Sequence, residues 1–239
     1  MADSHSTVQA LRFTKTMSEF DPEKFLHEPI YGFDFQFMIG DVEDFLEFSE
    51  TNIEWQYLRE LLAINHREET EDLEPGYRDH LKTNAEHRFT VSLPLRVRYG
   101  ALVAFTTSVE WAVGYIVGRL KGLLSQVPSG KNPTVHFLLE LNKITGLGDL
   151  DLIHNYGALV NARNCIVHSS GLVKNYRFRE ELQRDISRLQ GIHLGNWHFF
   201  GEHVCIERCA LSPYIRGMAS SIVKLHEACD KMGLWKNEI

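Results

Sequence analysis

Positive charge is short in this sequence: 25 lysines and arginines face 32 aspartates and glutamates, for a formal net charge of −7. Broad affinity for nucleic-acid backbone comes from many cationic contacts to phosphate, so the deficit argues against nonspecific coating of DNA or RNA and leaves room for a local basic site. Cysteine is scarce as well. Cys165, Cys205, Cys209 and Cys229 form no CxxC pair and no spacing typical of a zinc site, which points to reduced thiols in a cytoplasm. The opening Met1-Ala-Asp-Ser-His-Ser lacks a basic patch followed by an apolar run, which predicts no export. The most membrane-like stretch, 99–118, is interrupted by Thr106, Thr107, Ser108 and Glu110; it reads as a buried helix, and no membrane partner is expected. Internal repeats, heptad series and low-complexity tracts are missing. The loop Pro128-Ser-Gly130-Lys131-Asn lacks the spacing of a phosphate-binding P-loop.

What is present suits a folded chain. Hydrophobic residues make up 44% and charged residues 24%, outside the disordered range, and 239 residues can bury a core either as one domain or as a domain with an extension. Residues 1–28 are polar and without sustained periodicity. Tyr31, Phe33, Phe35 and Phe37 alternate with small or polar residues, which predicts a strand. Phe45, Phe48, Ile53, Trp55, Leu58, Leu61, Leu62 and Ile64 recur at mostly helical spacing and predict an amphipathic helix over 41–69, with room for an interruption near Thr51-Asn52. The acidic stretch ending in Pro75-Gly76 marks a boundary, dividing an α/β extension at 1–75 from a helical domain at 76–239.

In that second part, helices are predicted over 77–89, then from Pro94 to about 125, from Asn132-Pro133 to 144, and over 150–168 with Asp149 as cap and Ser169-Ser170-Gly171 as stop. Phe178, Leu182, Ile186 and Leu189 define another helix. The runs 197–200 and 204–206 read as a hairpin, and Ser212-Pro213 opens a last helix.

The segment Arg163-Asn164-Cys165-Ile166-Val167-His168 sits just before that helix stop, and a long apolar helix carrying Glu110 lies two elements earlier. Arginine beside asparagine, then histidine after a short apolar spacer, resembles the RNA-cleaving motif of HEPN domains. The resemblance spans about 94–232 in the order of elements, and its specific parts are the six-residue motif and the 99–120 helix. It implies a mostly α, up-and-down helical bundle, here with a small C-terminal β-hairpin and the N-terminal α/β extension.

The resemblance also implies a metal-independent endoribonuclease without bound cofactor, in which a ribose 2′-hydroxyl attacks the adjacent phosphate. His168 would be general acid or base, since imidazole titrates nearest neutral pH. Arg163 would hold the phosphate, Asn164 would orient His168 or bind RNA, and Glu110 would pair with Arg163. On an ideal helix Arg163 and His168 diverge by about 140° whereas Asn164 and His168 share a face. HEPN domains commonly pair two motifs, so a homodimer through these helices is implied, with RNA and an antitoxin or other regulatory protein as partners in a toxin or antiviral-defence setting. Some HEPN toxins carry a modifiable tyrosine two positions after the histidine; Ser170 stands there, and that control is not carried over.

Plainer readings stand beside these. Arg163 can be a structural salt-bridge residue and His168 a cap of its own helix, while Cys165 reads as a small core residue. His193, His198 and His203 are evenly spaced, but residues five apart on a strand face opposite sides, so a metal site is not expected. Arg177, Arg179, Arg184 and Arg188, interleaved with Tyr176 and Phe178, either guide RNA or form a solvated face. Rival functions are a non-catalytic HEPN module binding RNA, a nucleotide or a protein, and a helical interaction protein whose working part is the N-terminal region.

Overall fold

The computed structural model describes residues 32–71, 73–120, 124, 126–130, 132–197 and 201–235 of a chain that divides into two units, Met1–Tyr31 and Gly32–Ile239. The polar start at 1–28, Lys131, His198 and the strand positions 198–200 lie outside the described residues. All the helices and strands described belong to the second unit.

The first helix, α1 (Gly32–Thr70), runs through the positions at which a strand is predicted. Phe35, Ile39, Val42 and Leu46 are buried at intervals of four, three and four residues, so the longer helical period outweighs the short aromatic alternation. The predicted strand is therefore not formed at its described positions, 32–37. Phe35 packs its ring at 5.8 Å from Tyr115 and 5.4 Å from His226, tying α1 to the two helices that carry them.

After a short turn, α2 (Pro75–His87) starts with a proline in its first turn, where the missing N–H costs nothing. The break predicted before Pro94 is not found. Arg88–Ser92 instead winds as a π-helix, Leu93 N–H donating to the Arg88 carbonyl, and leads straight into α3 (Leu93–Arg119). The wider turn accommodates a proline ring inside a continuous helix. Pro75–Arg119 is long and apolar enough to cross a membrane, and Leu102, Phe105, Val109, Val113 and Ile116 on it are buried within the protein. One side of α3 stays open: Gly100, Ala104, Thr107, Trp111, Gly114 and Gly118 form an exposed line.

Asn132 caps α4 (Pro133–Thr145), its side chain accepting from Val135 N–H at 3.0 Å, and Gly146 ends it with a left-handed φ of 69°. Asp149 caps α5 (Leu150–Ser169) in the same way through Leu152 N–H at 3.0 Å. Both starts agree with the sequence expectation. A short α6 (Arg179–Ile186) follows, and Leu189, expected on it, is buried in the turns beyond its end.

The hairpin pairs β1 (Ile192–Trp197) with β2 (Gly201–Ile206) in antiparallel register, Ile192 opposite Ile206 and Leu194 opposite Val204. Its first strand thus begins five residues before the predicted one, because Ile192 supplies the buried partner that Ile206 needs. α7 (Ser212–Lys231) closes the fold, its Ile215, Met218, Ile222 and Leu225 buried in a helix that packs along α1. The protein is mostly helical with one two-stranded sheet among the described residues.

Candidate functional site

The site grows from the crossing of α3 and α5. Tyr156, Leu159 and Ala162 are fully buried and seat α5 against α3, which leaves Arg163 beside the next turn of α3, where Thr106 and Glu110 stand one turn apart on one face. Arg163 pairs with the Glu110 carboxylate through Nη2, donates from Nε to Thr106 Oγ1 at 3.3 Å, and from Nη1 to Asn164 Oδ1 at 3.0 Å. Three of the five guanidinium N–H groups are thereby engaged, and two have no partner among the described residues. The Arg163 side chain is 20% exposed and that of Glu110 34%, so this pair is neither sealed in the core nor loose on the surface.

Tyr156 supports the arrangement from below. Its buried hydroxyl donates to the Thr106 carbonyl at 3.2 Å, and its ring meets Phe105 edge-on at 6.2 Å. Burial pushes this phenol far above its ordinary range and the nearby Glu110 charge adds to the shift, with Arg163 opposing it, so it stays a protonated donor.

His168 is placed differently. It is exposed in the last turn of α5 and makes no hydrogen bond or ion pair with any described residue. Arg163, Asn164 and Glu110 therefore come together within one chain, and His168 is not brought into contact with them. The turn that carries His168 is nonetheless fixed. Ser170 and Gly171 take left-handed φ values of 54° and 81°, Gly171 N–H returns to the Cys165 carbonyl at 3.2 Å, and Val204 N–H of the hairpin donates to the Gly171 carbonyl at 3.0 Å. From α3, the Tyr99 hydroxyl donates to the Val204 carbonyl at 2.5 Å.

Beyond the motif, Tyr176 donates to Asn161 Oδ1 at 2.6 Å and Asn161 Nδ2 donates to Asp185 at 3.0 Å, so the segment after α5 and the helix α6 are both held to the motif helix. Burial, with the neighbouring Cys165 and acidic groups, pushes the Tyr176 phenol up to about 12. Cys165 is fully buried and its thiol is pushed up to about 11 by burial, which fits a core residue and leaves it without the thiolate a nucleophile needs.

Arg177, Arg179, Arg184 and Arg188 are exposed, with Arg177 set over the Phe178 ring at 5.3 Å. Arg188 also lines an open groove with His136 and His154 on the side of α5 turned away from Arg163. His203 is buried with its Nε2 3.4 Å from Cys205 Sγ, and exposed His193 lies 3.4 Å from Glu207. No group of three histidines, cysteines or carboxylates among the described residues could hold a metal ion.

Thr106 and Tyr156 are the contributors that sequence reasoning did not single out. A threonine four residues before Glu110 was a usable signal, since that spacing puts both on one helical face; Tyr156 reads only as an apolar position of α5. The comparisons do not add a family: neither protein-family models, nor curated proteins, nor solved structures match this chain.

Proposed function

We propose that this protein is a metal-independent endoribonuclease of the HEPN type, acting in the cytoplasm as a toxin or antiviral-defence factor. The observation that carries the reading is the oriented guanidinium of Arg163: three neighbours fix its plane, two N–H groups remain, and it belongs to the same helix as exposed His168. A planar cation held in place with donors to spare suits a phosphate whose oxygens gain charge during reaction.

In the proposed step the ribose 2′-oxygen attacks phosphorus and gives its proton to a base, while the phosphorus–5′-oxygen bond breaks and the leaving oxygen takes a proton. A 2′,3′-cyclic phosphate and a 5′-hydroxyl result. His168 serves one of the two proton transfers and Arg163 the phosphate, with Asn164 and Glu110 setting the guanidinium. Because Arg163 and His168 leave α5 in different directions, a second chain supplying the opposite member completes the site, which makes a homodimer through the motif helices part of the reading. An antitoxin or another regulatory protein would hold it in check.

Purified protein should cut RNA in the presence of chelator and leave 5′-hydroxyl ends. His168→Ala and Arg163→Ala should each abolish cutting, and a single 2′-deoxy position should protect its own bond. Intact RNA under all conditions, or cutting by both variants at the parent rate, would sink the proposal.

The ion pair between Arg163 and Glu110 favours one alternative, a non-catalytic HEPN module that binds RNA, a nucleotide or a protein, since a neutralised arginine attracts phosphate less strongly. Binding that persists without any cleavage would select it.

A further inference from the structure

The outward face of α1 is apolar where a helix packed on one side is expected to be polar. Phe45, Phe48, Trp55, Leu58 and Leu62 are each more than half exposed, Phe48 reaching 74% and Trp55 64%. Phe48, Trp55 and Leu62 follow at intervals of seven, within about 40° of one another on the helix, and Phe45 and Leu58 flank them. The opposite face is already committed, with Phe35, Ile39, Val42, Leu46 and Ile64 buried against the rest of the fold, so the exposed stripe cannot be turned inward.

We propose that this face joins two copies of the chain, their α1 helices lying antiparallel with Phe48 opposite Trp55 of the second copy. Charge sets that direction. Asp41, Asp44 and Glu47 border the stripe in its first half, and Arg59 borders it in the second. With Phe48 facing Trp55, Arg59 comes opposite Asp44 of the second copy and one turn from its Asp41, and the two-fold axis repeats the contact. A parallel pairing sets Asp44 against Asp44 and Arg59 against Arg59, like charges facing each other.

The area suffices. Side chains of this class bury roughly 150–250 Å² each, so five that are half to three-quarters exposed offer on the order of 500–600 Å² per copy; with the flanking polar side chains the pair reaches the about 1,200 Å² at which stable interfaces begin. A membrane surface is a poorer occupant, because interfacial helices are rich in lysine and arginine beside the apolar stripe, whereas residues 41–62 hold Arg59 alone against seven carboxylates. This pairing uses a helix outside the motif and stands whether or not the chain cleaves RNA.

The test is the molar mass and self-dissociation constant of the full chain by sedimentation equilibrium and light scattering, with helix content followed by circular dichroism. Trp55→Glu should weaken association through this face at least 100-fold, so that a chain also joined at its motif helices falls from tetramer to dimer and one joined only here falls from dimer to monomer. Asp44→Arg and Arg59→Asp should each weaken it about 10-fold, and the double swap should restore it to within about threefold. Association untouched by Trp55→Glu overturns the proposal, as does a wild-type chain that is monomeric at all concentrations. Loss in both single swaps without rescue in the double overturns the antiparallel register, and a monomer that loses vesicle binding on Trp55→Glu assigns the face to a membrane instead. Should Trp55→Glu fail to fold, the surface charge swaps decide alone.

Discussion

Arg163 of α5 reaches across to Glu110 of α3 and closes the crossing of the two helices with an ion pair. Because both groups are partly withdrawn from water, each depends on the other. Arg163→Ala and Glu110→Ala should each lower stability by about 1–3 kcal/mol, as loss of one member of a hydrogen-bonded charge pair does. The double variant should cost less than the two added together, with a coupling of roughly 1–2 kcal/mol in urea unfolding. Strict additivity would mean that the pair is not formed in solution.

Glu50 is a second carboxylate to test. It lies 8% exposed on α1, accepts from Arg98 Nε at 2.5 Å and lies 3.4 Å from Arg208, while Arg98 also donates to the Ile206 carbonyl at 3.0 Å. Removing it leaves the Arg98 guanidinium, only 17% exposed, with the Ile206 carbonyl and no carboxylate, so Glu50→Ala should destabilise the fold by about 3 kcal/mol, more than Glu110→Ala. Equal midpoints for parent and variant in chemical denaturation would contradict the network.

Gly171 occupies a left-handed conformation with φ of 81°, and a Cβ there would run into the Tyr99 hydroxyl. Gly171→Ala therefore meets backbone strain and a clash at once, and should cost at least about 1–3 kcal/mol. Tyr99→Phe in the Ala background should recover part of that loss in thermal melts; no recovery would show that the clash is not what matters.

Burial raises the thiols of Cys165 and Cys229 from 9.0 to about 11, whereas Cys209 is exposed. In the unfolded chain these thiols ionise first, so the stability they contribute is complete below about pH 9 and is lost as pH rises toward 11. Urea midpoints should hold between pH 7 and 9 and fall above that. At neutral pH a thiol reagent should modify Cys209 rapidly and Cys165 and Cys229 only after unfolding; prompt labelling of all three would refute their burial.

The helix ends written by local chemistry were readable from sequence. Asn132-Pro133, Gly146 and Asp149 each act within three or four residues of themselves, so their side chains and backbone preferences decide the outcome without help from distant parts. The misreadings came where competing local signals had to be weighed. The aromatic alternation at 31–37 is a short period-two pattern embedded in a longer period of 3.6 that continues to Leu46, and helix cooperativity favours the longer one. Pro94 read as a start because a π-turn upstream leaves no compositional mark.

The site divides along the same line. Arg163, Asn164 and His168 are visible as a run of residues, yet whether they meet is a matter of how α3 crosses α5. Glu110 is named through the resemblance, as the acid on an apolar helix two elements before the motif. Thr106 and Tyr156 do their part through a backbone carbonyl and a hydroxyl, groups that look alike in any helix of that composition.

Val204 takes part in two contacts at once, its amide bound to Gly171 at the end of α5 and its carbonyl to Tyr99 on α3. A hairpin strand and two helices are thus fastened at a single residue, and none of the three can drift without loosening the others. The amide of Val204 should exchange its hydrogen as slowly as those in the middle of α5, making the terminal turn with His168 part of the last region to open instead of a fraying end.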